Sequence, residues 1–134
     1  MNTRTAFFIV ALSALIACGG KTTQVAQETR PVQPSAEETL RRQFERAYFA
    51  IACIANHGKN PTMSITPMRR PADYLAALEG SGTHAETRVV NLLAENGFPG
   101  IAAFRNLETR LRGDRAYWST IEDRFIPELE RCPK

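Results

Sequence analysis

The chain has 134 residues, 43% of them hydrophobic, which is enough for one domain with a modest core. Its 17 basic and 14 acidic side chains leave a formal charge of +3, too mild and too interspersed to imply nucleic acid as a partner. With two histidines and three cysteines there is little material for a metal centre.

Asn2 to Thr5 form a short polar start whose one charge is Arg4. An apolar run from Ala6 to Ala17 follows, broken only by Ser13. Its twelve residues would cover about 18 Å as a helix, short of the roughly 20 residues a bilayer core requires. Such a run behind a basic start is a secretory signal, not a membrane span. It closes on Leu15-Ile16-Ala17-Cys18, which resembles the bacterial lipobox: a branched apolar residue, two smaller or apolar ones, then the modified cysteine. The resemblance implies that residues 1–17 are cleaved away. Cys18, diacylglyceryl-modified on its thiol and often acylated on its amine, becomes the mature N-terminus. Two or three acyl chains, at about 0.8 kcal/mol per buried methylene, make a permanent anchor.

The residues after Cys18 are Gly19 and Gly20 rather than the aspartate that retains Gram-negative lipoproteins in the inner membrane. The resemblance therefore points to the outer membrane, with the domain facing the periplasm or the cell surface. In a Gram-positive cell it implies the outer face of the plasma membrane. The competing reading is an ordinary secreted protein with a chance cysteine near its cleavage site.

Losing residues 1–17 leaves 117 of the 134. Residues 18–34 are rich in Thr, Gln and Pro and show no apolar period, so they read as a flexible tether spanning on the order of 20 Å. The folded domain is then 35–134. Cys53 and Cys132 are an even pair in an oxidising compartment, which reads as a disulfide. Two buried free thiols are the alternative.

Ser35 with Glu38 makes a capping box directly after Pro34. Leu40, Phe44, Ala47, Ile51, Ile54 and Ala55 recur beyond it at helical spacing, up to a stop at Gly58. Residues 59–70 form a connector with Pro61 and Pro67, and Pro71 starts a short second helix that ends at Gly80-Ser81-Gly82. Thr83 with Glu86 caps a third helix, expected to turn Val89, Val90, Leu92 and Leu93 inward and to stop at Asn96-Gly97. After Pro99-Gly100 a fourth carries Ile101, Phe104, Leu107 and Leu111. Gly113-Asp114 recaps the chain for a fifth with Trp118, Ile121, Phe125, Leu129 and Cys132 on one stripe, kinked by Pro127. No stretch needs a strand. The expected fold is all-α: a compact irregular bundle of about five short helices, closed by one disulfide on a lipidated tether.

Nothing in the sequence organises into a catalytic or cofactor motif. His57 and His84 lack a partner at ligand spacing, and the serines have no base in series. Glu45, Glu79, Glu95, Glu108, Glu122 and Glu130 are interleaved with arginines, as on solvated helix faces. The expectation is no enzyme, no cofactor and no metal. What remains is surface recognition. Met63, Ile65, Met68, Arg69 and Arg70 make the connector apolar for a loop and basic at its end, and Met and Arg are enriched at interfaces. These five are the candidate partner-binding residues, with a lid over the core as the alternative. Tyr48, Phe49 and Tyr117, at the edges of apolar stripes, either extend a contact surface or rim the core.

The function expected is therefore a non-enzymatic, lipid-anchored interaction module that binds another envelope protein. On size, anchor, helicity and cysteine pairing, though on no sequence motif, the chain is similar to the pilotins that chaperone secretin subunits to the outer membrane. A periplasmic inhibitor or immunity protein against a toxin or wall hydrolase is one alternative. A binder of a small apolar ligand, which requires a cavity beneath residues 63–68, is another.

Overall fold

The chain divides into residues 1–32 and 33–134, and the computed structural model describes residues 33–62 and 66–133. Five helices are present and, among the described residues, no strand: α1 (Ala36–Ala55), α2 (Pro71–Leu78), α3 (His84–Glu95), α4 (Ile101–Arg112) and α5 (Arg115–Glu130). None of them is long and apolar enough to cross a membrane.

Local chemistry sets the helix ends. Ser35 Oγ accepts from the Glu38 amide at 3.1 Å, Thr83 Oγ1 from that of Glu86 at 3.2 Å, and Asp114 Oδ1 from that of Tyr117 at 3.1 Å. Each occupies one of the donors a helix start leaves free. The carboxylates at the third helical position do different work. Glu38 pairs with Arg42, while Glu86 reaches back over the preceding turn and accepts from the Gly80 and Gly82 amides, both at 2.7 Å. Those amides, Gly80 first, hold the Glu86 carboxyl below its ordinary 4.5. At its other end α3 closes with Phe98 N–H on Leu93 C=O at 2.9 Å and Gly97 N–H on Ala94 C=O at 3.0 Å. The paired bonds need Gly97 at φ +84, and they fold buried Phe98 back beside Leu93.

The core is built around α1, which packs against α2, α3 and α5 while α4 packs against α2, α3 and α5. Phe44, Ala47, Tyr48, Ile51 and Ala52 are fully buried on α1, and Leu75, Val89, Leu93, Phe104, Ile121 and Phe125 come from the other helices. Phe44 stacks on Phe104 with ring centroids 5.0 Å apart, and Phe98 meets Phe104 edge-on at 5.2 Å. Pro127 lies inside α5, which runs on to Glu130. Cys53 and Cys132 are joined, Cα to Cα 5.5 Å, binding the tail of α1 to the turn after α5.

Three expectations are corrected. Val90 is exposed, because α3 presents only Val89 and Leu93 squarely to its neighbours and Val90 lies about 100° further round the helix. Glu108 is not on a solvated face; it is 2% exposed and bonded to Arg112, one turn on. Tyr48 belongs to the centre of the core rather than its edge, because it lies between α1 and the Trp118 and Phe125 rings of α5.

Reduction of the disulfide, which closes a 79-residue separation, is expected to cost about 4–5 kcal/mol on the chain-entropy model. Unfolding in urea with and without dithiothreitol measures it. Glu86 yields a pH prediction. Its folded-state pKa lies below its unfolded value, so its stabilisation is complete above about pH 4.5 and disappears as pH falls through the lowered value. Glu86→Gln is expected to lower Tm at pH 7 and to flatten the acid limb of a Tm–pH plot.

Candidate functional site

At the disulfide end of the bundle the chain leaves α1 through Asn56-His57-Gly58, with Gly58 at φ +76. Asn56 is 5% exposed, and its side-chain amide makes three hydrogen bonds. Nδ2 donates to Ala52 C=O at 2.9 Å and to Arg69 C=O at 2.8 Å, while Oδ1 accepts from Arg69 N–H at 2.7 Å. One side chain thus reads both backbone groups of Arg69, as a neighbouring strand would, and ties the far end of the connector to the end of α1. The near end is held by Asn60, whose Oδ1 accepts from Thr62 N–H at 3.1 Å and Thr62 Oγ1 at 2.7 Å.

Between these ties and the tail of α5 lies a cavity of about 430 Å³. Pro61, Met68, Leu129, Cys132 and Pro133 give it apolar walls, and Asn56, His57, Lys59, Asn60, Thr62 and Glu130 supply polar groups. Its volume and its mix of apolar wall with a few polar groups are those of ligand and anchor-residue pockets. Lys59 and Glu130 place opposite charges on it. Among the described residues no three His, Cys, Asp or Glu side chains gather as they would around a metal ion.

The candidate interface residues go three ways. Met68 is half-buried, packs on the core and lines the cavity. Arg69 is held by its backbone and sets its guanidinium over Tyr74 at 5.6 Å. Arg70 turns towards α5, 4.0 Å from the Phe125 ring and 2.8 Å from Glu122 Oε2. Met68 alone of the three reaches the cavity. Met63, Ile65 and Cys18 lie outside the described residues. His57 is exposed at the cavity, and His84 is exposed in the first turn of α3.

Sequence reasoning missed Asn56 and the cavity walls contributed by the tail of α5. Asn56-His57-Gly58 reads locally as a helix stop, and nothing within it shows that its amide meets Arg69, 13 residues on. No protein-family model, curated protein or solved structure matches this chain.

Asn56→Ala removes three hydrogen bonds and leaves both Arg69 backbone groups without this partner. A loss of about 2–3 kcal/mol is expected. Amide exchange should quicken at Arg69 while the core amides of α1 and α5 keep their protection ranking.

Proposed function

We propose that this protein is a lipid-anchored, non-enzymatic interaction module of the bacterial envelope, which binds another envelope protein through the cavity beside its disulfide. The anchor rests on residues 1–18, where the short apolar run ends in the lipobox-like Leu15-Ile16-Ala17-Cys18. What supports the binding role is the cavity itself. It is large enough for one or two apolar side chains, its walls are tied down by Asn56 and the disulfide, and its polar groups can fix orientation. Because the walls are held before a partner arrives, little ordering entropy is lost on binding. Pilotin-like assembly work at the outer membrane is one version of this reading. The same cavity, with Met68 in its wall, favours one other: a small apolar ligand held there.

The test uses the full acylated protein and a variant carrying Lys59→Glu and Pro133→Glu, both exposed positions on the cavity. Wild type is expected to retain an envelope protein from detergent extracts, and the variant to lose it at unchanged Tm. Retention by both moves the contact elsewhere. For the second reading the probe is decanoate. A rise in wild-type Tm that the variant lacks supports a small ligand, and no rise removes that reading. Intact mass checks the anchor, since the mature chain should begin at an acylated Cys18.

A further inference from the structure

Asparagine followed by glycine is a labile pair, because the glycine nitrogen can attack the asparagine side chain with no side chain of its own in the way. Of the chain's asparagines only Asn96 has glycine after it. In the fold that pair ends α3, and every part of the reaction is held. Asn96 Nδ2, the leaving group, donates to Leu92 C=O at 2.8 Å. The Gly97 N–H, the nucleophile, donates to Ala94 C=O at 3.0 Å. Attack closes a five-membered ring, which requires the Gly97 nitrogen to be turned towards Cβ of Asn96. With ψ at 9° it lies over the Asn96 nitrogen instead. Phe98, the next residue, donates to Leu93 C=O at 2.9 Å and is buried edge-on to Phe104. The turn therefore cannot rotate into the reactive geometry unless a core ring is withdrawn with it.

Once that end of α3 opens, the Gly97 nitrogen bonds to Asn96 Cγ and the Cγ–Nδ2 bond breaks. Ammonia leaves with the proton lost from the Gly97 amide, and a succinimide remains. Water then adds at either ring carbonyl. One product has aspartate at position 96; in the other, isoaspartate, the main chain runs through the side chain and is one atom longer. Neither fits the folded cap. Aspartate replaces Nδ2 by an oxygen that cannot donate to Leu92 C=O, and sets a negative charge at the carbonyl end of α3, the negative end of its dipole. Asn96 Oδ1 is already closed to solvent and has no partner among the described residues, so a carboxylate there would be poorly hydrated. Isoaspartate carries Phe98 one atom further from Leu93 and Phe104. We propose that Asn96-Gly97 is a modification site gated by folding: deamidation is confined to chains that have lost the end of α3, and it hinders them from rebuilding it.

The test incubates the mature protein in mildly alkaline buffer, folded in one arm and in guanidinium chloride in the other. The tryptic fragment that follows Arg88 and ends at Arg105 reports Asn96, by a gain of one mass unit and a split into aspartyl and isoaspartyl forms. Conversion at Asn96 is expected to be at least about tenfold slower in the folded arm. Equal rates overturn the gate. Chains partly converted in denaturant are then returned to buffer, and the refolded fraction is isolated by size. It should be depleted of modified chains, and a fraction as rich in them as the starting mixture overturns the second half of the proposal. Asn96→Asp supplies the aspartyl product uniformly and should lower Tm by about 4–8 °C at neutral pH. An unchanged or higher Tm counts against the proposal in the same way. Should that variant not fold, the wild-type fractions decide.

Discussion

Everything between the first helix and the last is enclosed by a single covalent closure, Cys53 to Cys132. It fixes the tail of α1 against the turn after α5, so α2, α3 and α4 form inside a loop whose ends cannot part. Two further features sit at the same end. Asn56, three residues beyond Cys53, captures the Arg69 backbone and so sets where α2 starts, and Cys132 forms part of the cavity wall. A small core with few elements has little redundancy. Here the redundancy is concentrated at one end, where covalent, polar and apolar ties coincide.

How much of this was legible in the sequence depended on the range of the interaction. Ser35, Thr83 and Asp114 act on amides three residues away, Pro71 needs no partner, and Gly97 answers a backbone angle, so all were readable in place. The apolar stripes of α1, α4 and α5 followed from period alone. Glu108 did not, because Glu108 with Arg112 has the i, i+4 spacing of any exposed helix pair, and nothing within that spacing marks it as buried. Val90 misled in the opposite sense, since a short helix against few neighbours buries a narrower stripe than its composition offers. Residues 63–70 were legible as unusual for a loop. The separate directions taken by Met68, Arg69 and Arg70 come from Asn56 and α5, far off in sequence.

The basic residues carry a second lesson. Of the 17, only Lys21, Lys59 and Lys134 are lysines. Arg41, Arg69, Arg70, Arg112 and Arg124 each lie over an aromatic ring, at 4.0–5.6 Å from its centroid. A flat guanidinium can cover a ring with its face and still bond carboxylates with its edge, which an ammonium cannot do as well. Arg124 does both, over Phe49 and against Glu45 at 2.6 Å. A chain of mild net charge thus uses its arginines as the outer layer of its core. Charge interspersion in the sequence was a sign of packing as well as of solubility.

The length of α1 gives the domain two poles. Its 20 residues run about 30 Å, with Ser35 at one end and Asn56 at the other. The chain enters the domain at the Ser35 pole, and the cavity opens at the Asn56 pole. Anything joined ahead of Ser35 therefore pulls on the end of the domain opposite to the one where an occupant would sit. Both poles lie on one helix, and the far one ends beside a covalent cross-link.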